Sequence, residues 1–506
     1  MADQDIALMA HLFRRAGFGA SRDDLEAYAA KGYEATVEEL LNPETQPGVE
    51  EDLMLRYNQS FRESNQARDQ QWLYRMVNEP RQLQEKMALF WHTILCGGNT
   101  KIDSGYEMHR MINMFREKGT GSFRDLLLDL SKNPGMIYYL DNSESHKTAV
   151  NENYGRELLE LFSLGVGMDE QFNYSEDDVK ACALAFTGWN IAPASPPFPY
   201  GRSQWQFRFD PADHDDSVKT FLGETGRWNG DDIIDIICKQ PGAARFIARH
   251  MYDFFVADEP PVPSWRQTPP RDMEAIKTLE KAYFDSGYNI KAMLRALLTS
   301  DFFKSEDVRF AKVKNPAEIV AGTLRLVGDH REIKPGLWEI AQECTYMGMN
   351  LMDPPTVEGW HTGYEWIDSG TLVERVNFAS EYLGQTDLPG VQSLVNHLMA
   401  LGESLSPAQF VEGSIDLVGT LNLTEDTRQA LVAHAQESGD LRHGTEAPFC
   451  GGLVGQKEEG VYCCRLCGLL LFQYKTKFES GTGWPSFWAP FDEAHVTAVR
   501  DVSYGI

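Results

Sequence analysis

The chain has 506 residues, a formal net charge of -28, and 42% hydrophobic, 11% aromatic and 24% charged residues. That length exceeds one ordinary hydrophobic core, so two or three domains are expected, and the composition excludes a disordered or membrane-embedded chain. So acidic a chain repels a phosphate backbone, which needs clustered Lys and Arg to release counterions; no nucleic-acid partner is expected, and a solvated acidic surface explains the charge.

The N-terminus places acid before its apolar stretch, and His11, Arg14 and Arg15 interrupt or end it, the reverse of a secretory signal. No apolar run of about 18 residues follows, so no membrane span is expected and the cytoplasm is the expected location. From Ile6 to about Ala435 the pattern is helical. Val37 to Leu41, Leu126 to Leu130 and Met293 to Leu298 space apolar residues at i,i+3 and i,i+4, the stripe of a helix lying on a core. Ser175 followed by Glu176, Asp177 and Asp178 reads as a helix start, and Gly188 stands past its end. Proline-rich stretches at 193–200 and 259–270 read as surface loops. After Arg442 glycine density rises, and residues 461–464, 469–474 and 495–500 read as short strands. The expected fold is mainly α: a large multi-helix domain over 1–440, then a short, incomplete β-rich zinc-type segment over 441–506.

Within the helical part, Asn151 to Phe162 is the densest polar cluster. Helical spacing puts Glu157 and Glu160 on one face and pairs Arg156 with Glu160. Carboxylates so spaced suit a hard metal or acid–base work, and His92, His109, His146, His214 and His250 are candidates to complete such a site. A surface ion pair with scattered packing histidines is the plainer alternative. His214 with Asp213, Asp215 and Asp216 forms a second acidic cluster, readable as a metal loop or as a loop capping the next helix. The polar candidates are therefore His92, Glu157, Glu160, His214 and Asp215. Glu358 and His361 have Glu-x-x-His spacing, but Pro354, Pro355 and Gly359 mark a loop. Met347, Met349 and Met352 read as core filling, and Cys96, Cys182, Cys238 and Cys344 as buried inert thiols. No His-Glu-x-x-His, phosphate loop or Gly-x-Ser-x-Gly elbow is present.

His11 to Gly19, Phe90-Trp-His92, Asn151 to Phe162, Ala185 to Trp189, Phe209 to Asp215 and Asp353 to Trp360 together resemble the bacterial proteins catalogued as domain of unknown function 1800. The resemblance spans roughly residues 6–440 and implies a helical fold without a settled activity; relatives are often exported.

Cys450, Cys463, Cys464 and Cys467 crowd the C-terminal segment, which suggests metal or redox chemistry. Cys464 and Cys467 form a C-x-x-C, compatible on its own with half a zinc site, a redox pair or chance. In context, Gly444 to Phe449, Lys457 to Tyr462, Cys464 to Gly468, Leu470 to Phe472 and Lys477 to Phe487 resemble the first half of a peptide methionine-R-sulfoxide reductase, over about 443–506. The resemblance implies a β fold in which two C-x-x-C pairs hold zinc. It also implies a nucleophilic cysteine that passes through a sulfenic acid and is restored by a second thiol or an external reductant such as thioredoxin. It gives Cys464 and Cys467 to the first zinc pair and sets Trp484 against the methyl group of an oxidised methionine in a protein substrate. Thr482 stands where some members carry a recycling cysteine. The nucleophile and second zinc pair belong to a later part of the family pattern, past Ile506, so the segment is expected to be a truncated, fused fragment, inactive and holding little zinc. Rebuilding four ligands with Cys450 and Cys463 is disfavoured, because adjacent strand residues such as Cys463 and Cys464 face opposite ways. Phe472, Trp484, Phe487 and Trp488 are expected to be exposed. The alternatives are a reductase completed by residues from elsewhere and a metal enzyme on the helical domain.

Overall fold

The computed structural model describes residues 3–50, 65–193, 205–402, 405–438, 460–463, 470–478 and 485–492. Two compact units divide the chain, one made of residues 1–405 and 412–423, the other of 406–411 and 424–506.

The first unit is helical, and its helices start where the sequence provides caps. Ser175 caps Glu176–Ala185 with Asp178 closing a capping box, Asn229 does the same for Gly230–Cys238, and Asn315 precedes Pro316–Val327 with Pro316 at the first position. The expected helices lie within Tyr33–Leu41, Phe123–Ser131 and Ile290–Leu298. Among the described residues of this unit, short antiparallel strand pairs interrupt the helices: Gly167–Met168 with Gln171–Phe172, Trp189–Ile191 with Phe207–Phe209, and Lys219–Phe221 with Glu224–Gly226. Strands of two or three residues carry too few positions for an alternating pattern to register.

The Gln82–Ile94 helix is buried along nearly its whole length, as expected of a helix at the centre of a core. Phe90 and Trp91 join Phe123, Phe254 and Phe255 in an aromatic nucleus. The same helix carries Glu85, Lys86 and His92 into the interior. Glu85 accepts from Arg116 at 2.9 Å, and Lys86 donates to Glu318 while facing the rings of Phe18 and Phe254. Gly155 allows a close helix contact: a Cβ there would lie 2.9 Å from the Ala183 nitrogen, so its absence lets the Asn153–Glu160 helix press on Glu176–Ala185.

Met347, Met349 and Met352 are core residues. Cys96, Cys182, Cys238 and Cys344 are buried free thiols; burial pushes Cys238 up to about 12 and the other three higher still. The 259–270 stretch is a loop, but its Glu259 is buried and bonded to Arg249 at 2.6 Å, so it is anchored as well as exposed. Among the described residues no helix is long and apolar enough to cross a membrane.

In the second unit, Glu425–Ser438 is helical, and Val461–Cys463 pairs antiparallel with Leu470–Gln473, with a register shift between Tyr462 and Cys463. Lys477–Phe478 pairs with Ser486–Phe487. Phe472 and Phe487 are not exposed as expected: they stack at 4.3 Å, with Tyr462 edge-on to Phe487 at 4.8 Å, because three aromatics are the largest apolar surface this small ladder has to bury. Trp488 is 70% exposed. The expected strand at 495–500 lies outside the described residues.

Candidate functional site

In the helical unit, two motifs about two hundred residues apart in sequence form one cleft. The Asn153–Glu160 helix supplies one wall and the loop from Asp353 to Glu365 the other. The loop is tied down at several points. Asp353 accepts from the Thr100 N–H at 2.9 Å and hydroxyl at 2.6 Å, and the Trp360 indole donates to the Asn350 carbonyl at 3.2 Å. Gly359 has φ +101°, and a Cβ there would meet the Thr93 carbonyl oxygen at 2.4 Å, so both backbone conformation and space require glycine.

The cleft has two lobes that share Pro355. The first, about 420 Å³, is lined by Lys101, Tyr139, Asn153, Glu157 and Asp353 among others. The second, about 390 Å³, has apolar walls including Ile94, Leu161, Val262, Pro263 and Trp360, and carries Glu160, Glu358, His361 and Glu365. A narrow recess of about 50 Å³ continues past His250 to Asp253 and Phe254.

Burial raises the Glu157 carboxyl above its ordinary range, the neighbouring Glu160 and Glu358 raise it further, and Arg156 offsets part of the rise. Glu160 accepts from the Tyr174 hydroxyl at 3.1 Å. Arg156 does not pair with Glu160 as its spacing suggests; it reaches Glu176 at 2.8 and 2.9 Å and Glu152 at 3.4 Å, because the neighbouring helix start offers a bidentate carboxylate. His361 lies 3.5 Å from Glu365. Burial and the adjacent Arg249 lower His250 to about 3, so its imidazole is neutral, and its Nε2 is shut off from solvent without a hydrogen-bond partner.

Of the candidates taken from sequence, Glu157 and Glu160 reach this cleft, while His92, His214 and Asp215 do not line it. His92 is 0% exposed, enclosed by Trp72, Phe115 and Trp360, with neither ring nitrogen hydrogen-bonded; burial lowers it to about 3. His214 Nδ1 faces the Thr187 carbonyl at 2.9 Å. Burial opposes ionisation of Asp215, but Ser217 and Lys219 outweigh it and hold the carboxyl below its ordinary range. The 210–216 loop leads into a hairpin and caps no helix; Asp213 bonds His146 at 2.5 Å instead. His109 meets Asn113. Among the described residues no group of three or more His, Cys, Asp or Glu is placed to hold a metal ion. His250, Asp353, His361 and Glu365 complete the cleft; the Asp-Pro-Pro-Thr-Val-Glu-Gly-Trp run was the available signal for the loop. Cys464, Cys467 and Trp484 lie outside the described residues.

The architecture is thus a helical protein with a lateral acidic cleft, followed by a short β-containing segment. Residues 11–464 match the family described as "Protein of unknown function (DUF1800)", and the chain belongs to that family. Residues 435–506 match the SelR domain, so the two matches overlap over 435–464. The C-terminal region is similar to the peptide methionine sulfoxide reductase MsrB of Caulobacter vibrioides, at 65% identity over 86 residues, 16% of this chain and 54% of that protein. It is similar to the Xylella fastidiosa protein of the same name at 50% over 82 residues (16% and 53%), and to that of Escherichia coli at 47% over 64 residues (13% and 47%). The chain spans about half the length of the curated relatives it matches.

Proposed function

We propose that the C-terminal segment is the zinc-side and substrate-side part of a thiol-dependent methionine-R-sulfoxide reductase, and that residues 1–506 alone do not complete the reaction. The carrying observation is the cysteine set of the segment. Sulfoxide reduction starts with a thiolate attacking sulfur and forming a sulfenic acid, which a second thiol then reduces. Cys464 and Cys467 match the family's zinc pair, and neither Cys450 nor Cys463 matches its nucleophile. A closed structural zinc site takes four protein ligands, so this C-x-x-C does not by itself fit the metal. Trp484 matches the aromatic wall that suits a thioether methyl.

Purified protein is assayed for reduction of the R epimer of protein-bound methionine sulfoxide with dithiothreitol or thioredoxin, alongside zinc analysis. Product at the blank rate and zinc well below one per chain support the reading. Turnover, or stoichiometric zinc, overturns it in favour of a reductase completed within these residues.

A further inference from the structure

Burial protects almost all the sulfur of the helical unit. Met87, Met136, Met251 and Met347 are 0% exposed. Cys96, Cys182, Cys238 and Cys344 are buried as well, and burial keeps their protons on, so the thiolate that an oxidant attacks is scarce. Met399 departs from this pattern. It is 70% exposed, whereas among the other described methionines Met114, Met168 and Met273 are half-buried and the rest are buried.

That exposure follows from the helix that carries it. Pro389–Ala400 has Val391, Leu394 and Leu398 at i, i+3 and i+7 as its less exposed row, and Val391 packs beside Val327 and Leu388. His397 reaches Asp23 at 3.2 Å, which fixes how the helix is rolled. Gln392, Val395, Asn396 and Met399 are left on the adjoining solvent row, with Val395 42% exposed one turn before Met399. Met399 also lies in the last turn of the helix, and helix ends open more readily than helix centres.

A thioether held in water is open to peroxide. Its sulfur lone pair takes one peroxide oxygen, the O–O bond breaks, and the other oxygen leaves as hydroxide, which collects the proton on the new S–OH group and becomes water. Sulfur loses two electrons and the peroxide gains them. The product is a polar, chiral sulfoxide in R and S forms, and it sets a strong acceptor beside apolar Val395. A separate observation points to the same chemistry: residues 435–506 match the SelR domain and are similar to proteins named peptide methionine sulfoxide reductase.

We propose that Met399 is a reversible oxidation site: a peroxide converts it to the sulfoxide while the core methionines stay reduced, and a methionine-R-sulfoxide reductase returns the R epimer to the thioether. In the return step two thiols supply the electrons and become a disulfide, and the sulfoxide oxygen leaves as water. The choice of reductase rests on the reading of the C-terminal segment given above; the oxidation site does not.

Full-length protein is treated with hydrogen peroxide, its thiols are blocked, and each methionine is followed by peptide mass spectrometry. Met399 takes up oxygen at least about tenfold faster than Met87, Met136 and Met347. A complete methionine-R-sulfoxide reductase with dithiothreitol then returns about half of the Met399 sulfoxide, the R share. Met399 reacting no faster than the core methionines overturns the proposal. So does a Met399 sulfoxide that the added reductase leaves unchanged. Dithiothreitol without added enzyme separates this proposal from the reading of the segment: recovery of Met399 in that arm supports the site and overturns the claim that residues 1–506 do not complete the reaction.

Discussion

Lys86 and Glu318 offer a quantitative test of how the helical core is assembled. Both are buried, 0% and 6% exposed, and the Lys86 ammonium donates to Glu318 between the rings of Phe18 and Phe254. Burial opposes ionisation of both groups, while Lys86, Lys312 and the Asn315 N–H together hold the Glu318 carboxyl below its ordinary range. Removing one member of a buried pair costs about 3–5 kcal/mol, because the other is left uncompensated. The two single variants should differ within that range. Lys86→Met leaves Glu318 with Lys312 and the Asn315 N–H, so about 3 kcal/mol is expected. Glu318→Gln leaves Lys86 facing Arg15 and Lys312, two like charges, and about 5 kcal/mol is expected. The double variant removes both charges and should cost about 5 kcal/mol, short of the roughly 8 kcal/mol of simple addition, a coupling of roughly 3 kcal/mol. Urea unfolding followed by tryptophan fluorescence measures all four corners of the cycle. Single losses below about 1 kcal/mol, additivity in the double variant, or a costlier Lys86→Met would refute the reasoning.

Gly359→Ala is expected to cost about 3 kcal/mol, from left-handed backbone strain plus the contact with the Thr93 carbonyl; urea midpoints check it. Ser175→Ala removes a cap that accepts the Asp178 N–H, for a loss of about 1 kcal/mol by the same measurement. Glu157→Gln works in the opposite direction. Its folded pKa is raised above the ordinary value of 4.5, so the folded state holds the proton more tightly and the ionised side chain destabilises the fold. The substitution should therefore raise the melting temperature at neutral pH, and the gain should vanish as pH falls below 4.5; a gain that grows on acidification would contradict this sign.

Local chemistry was legible in the sequence, long-range geometry only partly so. Ser175 with Asp178 announces a helix start because capping uses residues within one turn. Glu157 and Glu160 could be placed on one face by helical spacing alone. Spacing could not say where the long Arg156 side chain would go, since Glu176 is brought beside it by the packing of Gly155 on Ala183. Nor could it join the Asn153–Glu160 helix to the Asp353–Glu365 loop, because no local pattern encodes contact across so much chain. His92 misled for a related reason: an imidazole on a helix looks chemically available until three aromatic rings close around it. In the C-terminal segment, by contrast, the ordered motifs from Gly444 to Phe487 carried the likeness to the sulfoxide reductases directly.

The central claim is that residues 1–506 join a DUF1800 helical protein to a reductase-type segment lacking a working nucleophile. Its most direct test is steady-state turnover of the R epimer of methionine sulfoxide by wild-type protein and by Cys463→Ser, with thioredoxin as reductant. The account predicts product formation at the blank rate for both. Turnover by wild-type protein that Cys463→Ser abolishes would contradict it, because a thiol outside the family's nucleophile position would then be carrying the reaction.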